Sequence, residues 1–123
     1  AHTAAGRPRE AAEAFERARE LIGAGDRLSQ AKIDIELGVV HRLLGRPAEI
    51  VEAVAGAART MRDLDIPVKE ARAWEILADL TADMGDERGS GEHLRRAIAV
   101  YLNLGKTAKA DELGRRLPPS TDS

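Results

Sequence analysis

A repeat of 39 to 40 residues is the feature that most constrains the fold of this chain. The segment Gly6-Arg7-Pro8 opens an alanine-rich stretch, Gly45-Arg46-Pro47 opens a second, and a looser copy begins at Gly85. The steps are 45 − 6 = 39 and 85 − 45 = 40 residues. A period of about 20 to 50 residues is typical of stacked supersecondary units that bury their apolar faces against one another. The sequence therefore predicts a repeat array.

Every segment between the turn glycines has helical periodicity, and none alternates like a strand. Proline at the first helical position and glycine after the last are typical helix starts and stops, and Ser29 is the expected cap of the second helix. We expect an all-α domain over residues 6–117, with a disordered leader at 1–5 and a flexible tail at 118–123. Its six antiparallel helices, paired as three hairpins, are predicted over 8–22, 29–44, 47–64, 67–84, 87–104 and 107–117.

Two segments give the chain a resemblance to the tetratricopeptide repeat family. Trp74–Ala78 has the pattern W-x-x-L-A of the family's first helix, and Ala11–Ala18 has the pattern A-x-x-x-F-x-x-A of its second. Leu37-Gly38 repeats the first pattern, although Asp34 stands where an aromatic residue is usual. The resemblance implies a right-handed superhelix with Trp74 buried between the third and fourth helices. HEAT-like and armadillo-like arrays, with periods of about 40 to 47 residues, are the structural alternative.

Composition narrows the class of protein. The 123 residues suffice for one domain with a core, and a net charge of −2 does not steer the chain to nucleic acid or an anionic membrane. The absence of cysteine excludes disulfides, thiolate zinc sites and cysteine catalysis, and it suits a reducing cytoplasm. No apolar run approaches the roughly 20 residues of a membrane span. We therefore expect a cytoplasmic protein without membrane contact.

The patterns of known catalytic and metal sites are missing from the sequence. None of the three histidines has a second ligand at helical spacing, and no serine stands near a histidine and an acid in a recognisable motif. The basic pairs Arg95-Arg96 and Arg115-Arg116 are diluted by acidic neighbours, so a solvated helix face is expected there. The sequence thus predicts a non-enzyme with no cofactor, no metal and no direct contact with nucleic acid.

The second helix has apolar residues on two sides, which indicates either burial on both sides or a face offered to a partner. In the family that the chain resembles, the first helix of each hairpin lines a concave groove. The groove is expected to be apolar and basic at one end and acidic at the other; the alternative is that the fourth helix or an upstream repeat covers the apolar row. The predicted groove residues are Lys32, Ile35, Val39, Arg42 and Leu43 in the second helix and Arg72, Glu75 and Asp79 in the fourth.

The resemblance implies a non-catalytic module that binds a protein or peptide, as the regulatory or sensor arm of a larger bacterial transcriptional regulator. A self-assembly module and a small-molecule sensor are the alternatives. The chain enters the repeat at its second helix and does not begin with methionine. We therefore expect a piece of a longer array, whose first helix drives self-association through an exposed apolar side. The other interpretation is that this charged helix is itself the cap of the array.

Overall fold

The computed structural model describes residues 7–117, so the predicted leader at 1–5 and tail at 118–123 lie outside the described residues. Helices make up most of the described part, and strands are absent from it. The predicted all-α class with six helices is confirmed. The helices are α1 Pro8–Ile22, α2 Arg27–Leu43, α3 Val51–Asp63, α4 Pro67–Asp83, α5 Glu87–Asn103 and α6 Thr107–Gly114.

A unit of 20 residues underlies the repeat of 40. From α2 onward, helical structure begins at residues 27, 47, 67, 87 and 107. Each of the four links that follow α2 to α5 contains one residue with positive φ, and the residue after it donates its N–H to a carbonyl five positions back at 2.8 to 2.9 Å. This is the Schellman arrangement, which satisfies the last carbonyls of a helix. The positive-φ residues are Gly45, Asp65, Gly85 and Gly105.

Three helix boundaries differ from the prediction. The cap of α2 is Asp26, whose side chain accepts a hydrogen bond of 3.0 Å from the backbone N–H of Ser29. This bond lowers the pKa of Asp26. The third helical segment begins as a single 3₁₀ turn, Pro47–Glu49, before α3 starts at Val51. The sixth helix ends at Gly114, three residues earlier than predicted.

Each helix packs against the next in the chain, and α2 also contacts α4. Three residues link α3 to α4, α4 to α5 and α5 to α6, and three link α2 to the 3₁₀ turn before α3, so consecutive helices from α2 onward are antiparallel neighbours. Gly38 allows α2 to approach closely, because a Cβ atom there would lie 2.8 Å from methyl groups of both Val54 and Ile76. The same place in the next repeat holds Ala78, which is fully buried. Small residues at the crossings therefore set the spacing of the hairpins.

The core runs continuously through the array, and Trp74 belongs to it with 4% of its surface exposed. The predicted burial of this residue is confirmed. Two side chains of α5 contact its ring: His93 stacks on the indole and the Arg96 guanidinium lies over it. Residues 93 and 96 are three apart on a helix, so both face the same ring. The indole Nε1 donates a 3.0 Å hydrogen bond to Glu70.

Candidate partner-binding face

The alternate helices α2, α4 and α6 are joined by charged side chains that pair from one helix to another. Four acidic and four basic residues take part, so the set has no net formal charge. We call it the ion-pair ladder. Its pairs are Glu36–Arg72, Arg42–Asp79 and Arg42–Asp83 between α2 and α4, Glu75–Lys109 between α4 and α6, and Asp79–Arg116 between α4 and the turn that follows α6.

Arg42 is the junction at the end of α2. Its Nε donates a 2.7 Å hydrogen bond to Asp83, and its other guanidinium nitrogens lie 3.4 Å from Asp83 and 3.7 Å from Asp79. The hydrogen bond that Arg42 donates to Asp83 raises the pKa of Arg42. About half of the Arg42 side chain is exposed, and ion pairs at such positions contribute only about 0 to 1 kcal/mol each. The ladder therefore orients side chains more than it stabilises the fold.

Glu75 is held from two directions. Lys109 of α6 approaches its carboxylate to 3.1 Å, and the Tyr101 hydroxyl of α5 donates a hydrogen bond to the other oxygen. Burial and the neighbouring Glu75 carboxylate raise the pKa of Tyr101. Tyr101 thus links the ladder to the core, because its ring is buried while its hydroxyl meets the ladder.

The apolar row predicted for the groove is only partly available to a partner. Ile35 is 2% exposed and belongs to the core, where α2 meets its neighbours, so its assignment to an open groove floor is wrong. Val39 is half-buried and packs against the same core. Leu43 is 51% exposed. Of the three predicted apolar anchors, Leu43 is the one that presents most of its surface to solvent.

The predicted separation of basic and acidic ends is not found. Arg42 reaches across to the acidic residues of α4, and Arg72 pairs back to Glu36 of α2. Lys32 is exposed and makes no ion pair within residues 7–117. The charges of opposite sign compensate one another locally because the two helices lie side by side and long side chains span the gap.

Sequence reasoning missed the part of this face that α6 contributes. Lys109 and Arg116 complete the ladder, and the Tyr101 hydroxyl donates a hydrogen bond to Glu75 of the ladder. The start of α6 at residue 107 lies 40 positions after the start of α4 and 80 after the start of α2. That step was a usable signal that α6 occupies the equivalent position in the next repeat and lines the same face.

Metal sites and membrane-spanning helices are absent from residues 7–117. These residues contain no group of three or more histidine, aspartate or glutamate side chains placed to hold a metal ion. None of their helices has the length and apolarity needed to cross a bilayer. The segment Gly105-Lys106-Thr107 serves as the end of one helix and the start of the next.

Comparison with known proteins identifies no relative of this chain. No protein-family model matches this chain, and the curated proteins and solved structures likewise give no match. The geometry of the face is therefore the basis for any functional assignment.

Proposed function

We propose that this chain is a non-catalytic module of the tetratricopeptide repeat type that binds a protein or peptide on the face formed by α2, α4 and α6. Its setting would be the regulatory or sensor arm of a larger cytoplasmic bacterial transcriptional regulator. The 20-residue helical units support a helical repeat array, and the W-x-x-L-A pattern around Trp74 supports the tetratricopeptide type. The motif resemblance described above is what supports the regulatory setting.

The ion-pair ladder is the observation that carries the binding proposal. Three helices separated along the chain direct charged side chains onto one surface, next to the exposed Leu43. Each exposed pair is weak and can exchange partners at little loss of free energy. A segment with alternating charges and one apolar anchor matches such a surface, since the anchor supplies most of the affinity and the charges set the register.

A selection from a displayed random-peptide library on the immobilised domain tests this proposal. Binding of the selected peptides would be measured by fluorescence anisotropy with the unmodified domain and with Leu43→Asp. We expect at least about a tenfold loss of affinity, because burying the new carboxylate against an apolar anchor is unfavourable. Val39→Asp is less informative, since Val39 packs against the core and the change also affects folding.

Leu102→Asp is the matched control. Leu102 of α5 is 52% exposed, almost the same as Leu43, and it belongs to none of the three helices of the face. Both variants should keep the melting temperature of the parent protein, because neither residue is buried. Peptides whose binding is unchanged by Leu43→Asp, or weakened equally by Leu102→Asp, would contradict the assignment of this face.

A further inference from the structure

Two clefts occupy equivalent places in successive repeats. One lies among α3, α4 and α5, and the indole of Trp74 forms part of its wall. The His93 ring stacks on that indole with centroids 5.7 Å apart and planes 12° apart, and the Arg96 guanidinium lies 4.8 Å from the ring centroid. The other cleft lies one repeat earlier, among α1, α2 and α3.

Three large side chains at the later cleft are replaced by smaller ones at the earlier cleft. At positions 40 residues apart, the later cleft has an indole, an imidazole and a guanidinium, whereas the earlier cleft has a carboxylate, a methyl group and a hydrogen atom. The earlier cleft has a volume of about 580 Å³, against about 420 Å³ for the later one. We call it the Asp34 cleft. The replacements are Trp74 by Asp34, His93 by Ala53 and Arg96 by Gly56.

Packing does not explain the glycine in this cleft. A Cβ atom on Gly56 would meet nothing within 4 Å, whereas a Cβ atom on Gly38 would clash with two methyl groups at 2.8 Å. Glycine in the middle of a helix is less favourable than alanine, so Gly56 weakens α3 without allowing a neighbouring helix to approach. A bare helix surface of this kind lets the flat face of a ligand approach the backbone.

Asp34 provides the second, independent observation. Its side chain is nine-tenths buried and lines the cleft. Oδ1 accepts no hydrogen bond from the described residues, although Nε of Arg19 lies 3.2 Å away in an ion pair. Burial raises the pKa of this carboxyl, and Arg19 opposes that effect. A buried acceptor without a donor is rare and unfavourable, and an aromatic residue here would have been the ordinary choice.

We propose that the Asp34 cleft is a binding site for a planar aromatic group that carries an N–H donor, of the indole type. The ring would occupy the space that Trp74, His93 and Arg96 fill in the next repeat, with one face on Ala53 and Gly56. Its N–H would donate to Oδ1 of Asp34. A neutral donor suits the site better than a cation, because Arg19 already balances the carboxylate.

The site does not depend on the proposed function. None of the residues that line the Asp34 cleft belongs to the ion-pair ladder. The chemistry allows two sources, a free heteroaromatic molecule or the tryptophan side chain of a partner. A tryptophan side chain of a partner brings a peptide backbone to the site together with its ring, whereas a free heteroaromatic molecule does not.

Titration of the ¹⁵N-labelled domain with indole tests the site, with amide resonances followed by NMR. We expect saturable shifts at residues of α1, α2 and α3 around the cleft and none around Trp74. Benzofuran, which has the same shape without the N–H, should bind about tenfold more weakly, since Oδ1 stays without a donor. N-acetyltryptophanamide separates the sources: affinity equal to that of indole indicates a partner's side chain, and much weaker affinity indicates a free molecule.

Two variants close the cleft in ways that favour folding. Gly56→Leu places a good helix former in open space, and Asp34→Trp restores the side chain found one repeat later. Both should raise the melting temperature and remove the indole-induced shifts. Ala14→Leu, at an exposed position of α1, is the control and should leave them unchanged. Absence of saturable shifts in the parent protein, or shifts that persist in folded Gly56→Leu, would overturn the proposal.

Discussion

At the scale of single residues, the stacked pair of Trp74 and His93 joins α4 to α5. Nδ1 of His93 is buried and has no hydrogen-bond partner among the described residues. Burial, and next the positive charge of Arg96, lowers the pKa of His93 from its ordinary value of 6.5, while Glu92 and Asp86 act in the opposite direction. The folded protein therefore favours the neutral imidazole.

The residue-scale prediction concerns His93→Phe, in which the new side chain keeps a ring against Trp74 but cannot take up a proton. Below pH 6.5 the unfolded chain binds more protons at residue 93 than the folded chain, so stability falls as the pH falls. Chemical denaturation of both proteins at pH 7.5 and pH 5.5 should show a larger loss for the parent than for His93→Phe. Equal losses in the two proteins would contradict this role for His93.

At the scale of secondary-structure elements, the links are the most regular part of the chain. Three of the four positive-φ positions after α2 to α5 are glycine, and the fourth is Asp65 with φ of 58°. Left-handed backbone is unfavourable for residues with a side chain, although aspartate tolerates it better than most. The same Schellman bond closes the link at Asp65, where Ile66 donates to the carbonyl of Met61 at 2.8 Å. The four links thus share the same backbone geometry, although the residue at the positive-φ position is not the same in all of them.

The element-scale prediction is a set of three substitutions measured by urea denaturation. Gly45→Ala should lower stability by about 1 to 2 kcal/mol, because φ is +71° there. Asp65→Gly should raise it by about 0.5 to 1 kcal/mol, the relief of strain exceeding the added freedom of the unfolded chain. Gly56→Ala is the control for replacing glycine by alanine at a position of ordinary helical geometry, and it should be stabilising because residue 56 lies within α3. A neutral Gly45→Ala would contradict the left-handed geometry of the link.

At the scale of the whole molecule, the described part is a row of six helices in which α1 stands at one end. Ala11 is buried and Phe15 is half-buried against the core, so the apolar side of α1 packs against α2. Arg19 adds a hydrogen bond to Gln30 of 3.1 Å and the ion pair with Asp34. Leu21 is 87% exposed. The apolar surface expected to drive self-association is therefore confined mostly to this one large side chain.

The whole-molecule prediction follows from that exposure and tests self-association through α1. If Leu21 recruits a second copy, sedimentation equilibrium should show a dimer whose dissociation constant rises on Leu21→Ser. Met84→Ser, at a residue with 48% exposure on the link after α4, is the control and should leave the dimer intact. A monomer at high concentration, together with slow amide exchange in residues 8–22, would instead support α1 as the cap of the array.

The sequence alone was sufficient for the helices and their order. Gly45, Gly85 and Gly105 end helices through bonds within six residues, and Pro67 starts one through its own fixed φ, so these boundaries depend on local chemistry. The prediction of Ser29 as the cap is wrong, because Asp26 stands three residues earlier and accepts a hydrogen bond from the backbone N–H of Ser29. Local rules leave such one-turn ambiguities at helix starts.

Tertiary structure decided which side chains are available. Ile35 and Leu43 lie on the same predicted row of α2, yet one is 2% and the other 51% exposed, because Ile35 belongs to the core that several helices build together. The partners of Arg42 and Glu75 lie on other helices, between 26 and 41 residues away along the chain, and no periodicity within one helix identifies them. The empty space beside Asp34 exists only because three helices meet there, since a cavity is a property of several elements packed together.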